Sequence, residues 1–166
     1  MTLLRTLART WGDRGHHVRH RDEGDTPETL EVRLPAPDGS PGRTFALVDS
    51  PMNAEGLDAG VLVEVNAVLD LRIELDDPRR HELVDFVMML NNRLVLGAFG
   101  LRGDAGLYYR HVDLVPHDPA LWGEHCLELL RLAAFQLEHF EQILTMVVEG
   151  QLPISVAIGL FEGHEE

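Results

Sequence analysis

The chain opens with a helical pattern. In TLLRTLARTWGDRG, Leu3, Leu4, Leu7, Ala8 and Trp11 recur at three- and four-residue spacing, Thr2 is placed to cap, and Gly12 and Gly15 to end the helix. The period then drops to two. HHVRHRDE and ETLEVRLPAP follow, and in the second Leu30, Val32 and Leu34 alternate with Glu31 and Arg33, as in a half-buried strand. GDTP between them reads as a hairpin turn. PAPDGSPG is a loop, RTFALVDS a third strand and SPMNAEGLDAG a longer loop. VLVEVNAVLDLRIEL alternates again, first through Val61, Val63, Val65 and Ala67, then through Leu69, Leu71, Ile73 and Leu75. It predicts one long strand or a strand with a bulge.

The second half begins with a return to helical spacing. Asp77 can cap and Pro78 can occupy the first turn of a helix over about 78–94, with Leu83, Phe86, Val87, Leu90 and Leu94 on one face. In GAFGLRGDAG, Gly97 releases the helix into a strand, and Gly103 and Gly106 flank a hairpin turn around Asp104 and Ala105. LYYRHVDLV follows as the return strand, with Leu107, Tyr109 and His111 opposite Tyr108, Arg110 and Val112. Asp118 and Pro119 then start a helix of about 30 residues. Cys126, Leu130, Ala133, Leu137, Phe140, Leu144 and Val147 form its apolar seam, and Leu129, Leu132, Phe135, Ile143 and Met146 widen it. Such a helix needs cover on two sides: its own sheet, and for the other a second subunit. In the tail PISVAIGL, Ile154, Val156, Ile158 and Leu160 alternate, which suggests an edge strand or a docking segment.

The predicted order is helix, three or four antiparallel strands, helix, hairpin, long helix. This is an α+β fold, an antiparallel sheet packed by helices, in the order α-β-β-β-α-β-β-α. Residues 1–150 form one domain and 151–166 a C-terminal tail or edge segment. No internal repeat is present.

Charge narrows the range of partners. The net charge is −14, from 14 basic residues, all Arg, and 28 acidic ones. Residues 1–21 hold Arg5, Arg9, Arg14, Arg19 and Arg21 against Asp13 alone, so the remainder is strongly acidic. An acidic body repels nucleic-acid phosphates and attracts basic proteins or peptide segments. The N-terminal arginines read as a solvated helix face and an exposed strand. No apolar run reaches membrane-spanning length, and Arg5 and Arg9 interrupt any signal-like apolar stretch. A soluble cytoplasmic protein is expected.

Candidate chemistry is sparse. The glycines of GAFGLRGDAG follow a helix and precede a strand, the reverse of a dinucleotide-binding turn, and the chain has no Lys for a phosphate loop. The Arg102-Gly103-Asp104 tripeptide reads as chance. One cysteine, Cys126, excludes an intrachain disulfide and a Cys-based zinc site, and its place on the apolar seam marks a buried, inert thiol. Nine histidines (His16, His17, His20, His81, His111, His117, His125, His139 and His164) include no zinc-protease pattern. Ser40, Ser50 and Ser155 lack an elbow motif, and Asp76 and Asp77 read as a helix start. Asn91 and Asn92 suit capping and helix–sheet hydrogen bonds. No catalytic residue, cofactor or metal is expected, and nothing argues for an enzyme.

The segment LVDFVMMLNNRLVLGAFGLRGDAGLYYRHVDLV resembles the YbjN family, described as sensory transduction regulators of bacteria. The likeness rests on Asn91, Asn92, Arg93, Gly97, Phe99, Tyr109 and Arg110, and extends over about residues 60–148. It implies a fold like that of type III secretion chaperones, small acidic dimeric α+β proteins that hold a partner's extended segment. It implies no catalytic residues.

The expected function is a non-enzymatic, chaperone-like or regulatory protein-binding module acting as a homodimer. Its partner would be a protein with a basic surface or segment, a nucleic-acid-binding protein among the options, with no direct nucleic acid and no membrane. Apolar pockets and β-edge pairing would hold the partner's chain. Leu3, Leu4, Leu7 and Trp11 of the first helix, and Ile154, Val156 and Ile158 of the tail, are the candidate contacts. The same side chains could equally complete the core. The alternative is a small-molecule sensor or regulator with its ligand in the sheet–helix groove.

Overall fold

The structure is a computed structural model that describes residues 2–22, 24, 26–35, 42–49, 60–69, 71, 80–102 and 106–162. The fold is α+β, a six-stranded antiparallel sheet with four helices. The elements run α1 (Leu3–Asp13), β1 (His17–Arg21), β2 (Thr29–Arg33), β3 (Thr44–Asp49), β4 (Gly60–Val68), α2 (Arg80–Asn91), β5 (Ala98–Arg102), β6 (Gly106–Pro116), α3 (Pro119–Val148) and α4 (Ile154–Glu162). The strand order across the sheet is β1-β2-β3-β4-β6-β5.

Four strands precede α2, within the expected three or four and one more than the order α-β-β-β-α-β-β-α counts. The tail departs from expectation: it is a helix, α4, and not an edge strand. Eight residues satisfy both periods: Ile154, Val156, Ile158 and Leu160 alternate, but Ile154, Ala157 and Ile158 also share a helical face. Phe161, one residue beyond that segment, decides between them. Its ring packs 5.9 Å from Phe140 and 6.4 Å from Phe86, and Ala157 is fully buried. A strand would turn Ala157 and Phe161 to the face opposite Ile154 and Ile158, whereas a helix gathers all four on one side. The expected continuation of β4 through Ile73 and Leu75, the helix start at Asp76, Asp77 and Pro78, and the turn at Gly103–Ala105 lie outside the described residues.

The chain divides into two compact units. The first comprises Met1–Ala67 and Arg110–Leu132. Here α1 packs on β1, β2 and β3. The Thr2 hydroxyl accepts from Arg5 N–H, the expected N-cap, while Gly12 stays within the helix. Leu3, Leu4, Leu7 and Trp11 are buried, and Trp11 Nε1 donates to Gly123 O at 3.2 Å, so the large ring is sheltered with its one polar atom satisfied. The strand register explains the sheet's inner face. Leu30 lies opposite Leu47, Val32 opposite Phe45, and Leu47 opposite Val65, all buried. A slip of one residue would turn every one of them to solvent, so the apolar alternation fixes the pairing. The opposite face carries polar pairs such as Arg110–Glu64 at 2.6 Å and Arg21–Glu31 at 2.8 Å. The Arg110 hydrogen bond is the main cause holding the Glu64 carboxyl below its ordinary range.

The second unit comprises Val68–Tyr109 and Ala133–Glu166. Its core is a file of rings: Tyr109, Phe99, Phe140, Phe161 and Phe86, each within 6.4 Å of the next. Of the expected seam of α3, Ala133, Leu137, Phe140, Leu144 and Val147 are buried in this unit, and Cys126 and Leu130 are buried in the first. Also in the first unit, Ala120 N–H donates to Asp118 Oδ1 at 3.0 Å, so Asp118 caps α3 as its position before Pro119 predicts.

Candidate functional site

The site is built where three helices of the second unit meet. Gly150, at φ +74°, closes α3 in a Schellman turn. Gln151 N–H donates to Met146 O at 2.8 Å, and Gly150 N–H to Val147 O at 3.1 Å. The chain reverses through Leu152 and Pro153, and Val156 and Ala157 N–H groups both donate to Pro153 O at 3.0 Å to begin α4. Between this turn, the end of α3 and the start of α2 lies a groove of about 490 Å³, lined by Glu82, Val147, Gly150, Leu152, Pro153, Ile154, Ser155 and Ile158. Its floor is apolar. Among the described lining residues the charged one is Glu82, in the first turn of α2 after Arg80 and His81.

Carboxylates give the groove a negative edge, although the first turns of α2 and α4 beside it carry the partial positive charge of helix N-termini. The last turn of α3 carries no basic residue to offset the partial negative charge of a helix C-terminus. Glu149 adds a carboxylate there, steadied by Gln151 Nε2 at 2.7 Å. α4, ISVAIGLFE, carries no basic residue either.

The structure separates the expected contact residues into two groups. Ile154 and Ile158 line the groove, and Val156 stands half exposed on α4 with Leu160. Leu3, Leu4, Leu7 and Trp11 are core, with their side chains spent on the sheet beneath them. The N-terminal arginines find acids nearby: Arg5 pairs with Asp22, Arg14 with Glu124 and Arg21 with Glu31.

The glycine segment is structural where it is described. Gly97 and Gly106 take positive φ at the starts of β5 and β6, and Gly100 lies under the Tyr108 ring. Gly103, Asp104 and Ala105 are outside the described residues, as are Ser40, Ser50, Asp76, Asp77 and His164. Among the described residues no group of three or more His, Cys, Asp or Glu could hold a metal ion. His20 pairs with Glu28 and His125 with Asp113, each at 2.7 Å, and the His139 ring meets Phe140 edge-on. The Cys126 thiol is pushed up to about 12 by burial and by the charge of Asp113. No described helix is long and apolar enough to cross a membrane.

Two features escaped sequence reasoning. Gln136 is a buried polar residue at the centre of a hydrogen-bond network with Val95, Leu96 and Tyr109. His111 keeps a buried Nε2 without a hydrogen-bond partner among the described residues. Asn91, one of the residues behind the YbjN resemblance, ties α2 to β5. Asn91 Oδ1 accepts from Phe99 N–H at 2.7 Å and its Nδ2 donates to Phe99 O at 3.0 Å, extending β5 with a side-chain amide.

No family model, curated protein or solved structure matches the chain.

Proposed function

We propose that this chain is a non-enzymatic protein-binding module, chaperone-like or regulatory, that works as a homodimer and takes a protein partner with a basic surface or segment. The observation that carries the reading is the apolar groove at Ile154 and Ile158, rimmed by Glu82, with Val156 and Leu160 exposed on the other side of α4. An exposed apolar cleft with acidic edges on a chain of net charge −14 suits a cationic protein surface. Self-association is supported by the exposed apolar side chains of α3, among them Phe135 at 67% and Leu121 at 53%. The type III secretion chaperone-like fold and the kinship with YbjN proteins belong to this proposal and rest on the residues from Asn91 to Arg110.

Affinity purification from the native host tests the partner. Recovery of a consistent set of basic proteins supports the reading, and repeated failure to recover any protein opposes it. Light scattering tests the dimer, and a monomer at micromolar concentration opposes that part.

The groove's volume also favours a second reading, a sensor of a small molecule, because about 300–1,000 Å³ is the usual size of a ligand pocket. In that case the ligand would sit between helices and not between sheet and helix. A metabolite panel that raises the melting temperature of the folded protein would select this alternative.

A further inference from the structure

The groove also restricts the shape of its partner. Its described lining residues lie on α2, α3, α4 and the turn between the last two, and none of them belongs to a strand. Among the described residues it therefore offers no ladder of free backbone groups for β-edge pairing. A segment entering it must satisfy its own backbone hydrogen bonds, which a helix does internally. The groove selects charge as well. Two carboxylates set the sign: Glu82 is in the lining and Glu149 adjoins the lining Gly150 at the C-terminus of α3, while the partial positive charge of the α2 and α4 first turns offsets only the partial negative charge of that helix end.

Resting on the protein-binding reading above, we infer that the groove receives one face of an amphipathic cationic helix. Apolar side chains spaced three or four residues apart enter against Val147, Leu152 and Ile158. A flanking Lys or Arg of the partner meets Glu82 and the end of α3.

Fluorescence anisotropy on the full chain tests this with three labelled synthetic peptides. The first is an amphipathic Leu/Lys/Ala helix. The second has the same composition, with its leucines dispersed around the helix. The third keeps the leucines in place and replaces Lys by Glu. The first peptide should bind at least about tenfold more tightly than either of the others. Ile158→Ser should weaken that binding about tenfold. Ser155→Arg, at an exposed rim position that leaves the core untouched, should do the same by filling the groove and reversing its charge. Glu82→Gln should weaken it about threefold, and less at high salt. Circular dichroism establishes that each variant is folded.

Equal binding of the dispersed peptide would show attraction by charge alone and overturn the inference. So would unchanged binding by folded Ser155→Arg. Failure of all three peptides also overturns it. The broader reading is judged separately: if affinity purification recovers the same basic partners with wild type and with Ser155→Arg, the chain binds proteins and the groove is not where it does so.

Discussion

Gln136 and Leu96 exchange two hydrogen bonds across forty residues of sequence: Leu96 N–H donates to Gln136 Oε1 at 3.1 Å, and Gln136 Nε2 donates to Leu96 O at 3.2 Å. The same Oε1 accepts from Val95 N–H at 2.7 Å, and the Tyr109 hydroxyl donates to Leu96 O at 3.0 Å. One buried amide on α3 thus replaces the backbone partners that residues 95 and 96 lack between α2 and β5. Burial pushes the Tyr109 hydroxyl up to about 12, against the opposing hydrogen bond from Gln136, so it stays protonated and can donate.

Removing that amide should be costly. Gln136→Leu keeps the volume but strands the backbone N–H groups of Val95 and Leu96, and such a group costs about 1–3 kcal/mol when buried without a partner, less at the exposed Val95. A loss of about 1–3 kcal/mol is expected in urea unfolding. Gln136→Glu retains the acceptors but turns an oxygen toward Leu96 O, and should also destabilise. A Gln136→Leu protein within half a kcal/mol of wild type would show that the network adds little to stability.

Two glycines separate rigid from yielding surroundings. A Cβ on Gly60 would lie 2.2 Å from the carbonyl oxygen of Val115 on the neighbouring strand, and backbone cannot step aside. A Cβ on Gly100 would lie 2.5 Å from the outer end of the Tyr108 ring, which can rotate away. Gly60→Ala should therefore cost about 1–3 kcal/mol or more, and Gly100→Ala clearly less. Thermal melts of the two variants give the order. In a Tyr108→Ala background, Gly100→Ala should be nearly neutral, and a persistent cost there would place the strain elsewhere.

The pattern of legibility follows the range of the interactions. Thr2, Asp118 and Gly97 mark element ends because capping and turn chemistry act within a few residues, and all three sit where their chemistry places them. The α3 seam was legible because periodicity over 30 residues averages out exceptions. Gln136 was not, since a glutamine in an amphipathic helix normally marks the wet side, and its partners are 27 to 41 residues away. α4 was misread because a short apolar segment carries two periods at once, and the ring that decides, Phe161, acts through Phe86 and Phe140. The groove inherits that difficulty. Ile154 and Ile158 could be named as contacts, but Glu82 and Val147 join them only once α2, α3 and α4 meet.

His111 sets an expected pH dependence. Its Nε2 is buried without a partner among the described residues, and burial, only partly opposed by the charge of Asp113, holds its pKa below 6.5. Asp113 is itself engaged by His125. Because the unfolded chain takes up the His111 proton more readily than the folded one, this contribution to stability is complete above pH 6.5 and declines as pH falls below it. Glu28 acts in a separate window. Its pKa lies below 4.5 because the hydrogen bonds from Thr2 and His20 outweigh burial, so its contribution is lost only as pH falls through that lower range. Urea midpoints at pH 7.5 and 5.5 should therefore differ in the wild type, and differ less in His111→Phe. An unchanged difference in His111→Phe would assign the slope to another group.

Cys126 tests whether the α3 seam is closed in solution. The thiol is 1% exposed, and burial together with the Asp113 charge pushes its pKa to about 12. At pH 8 that leaves roughly one part in ten thousand as thiolate, the reactive form. Native protein should therefore resist a disulfide-exchange reagent at pH 8 and release one thiol equivalent only on unfolding in urea. Cys126→Ser should cost about 1–3 kcal/mol, because it puts a hydroxyl among apolar neighbours. Cys126→Ala removes only the sulfur and should remain folded. Fast stoichiometric labelling of the native protein would mean that α3 lifts from its sheet on the timescale of the reaction, and in that case Leu130, its neighbour one turn along, should also lose amide-exchange protection.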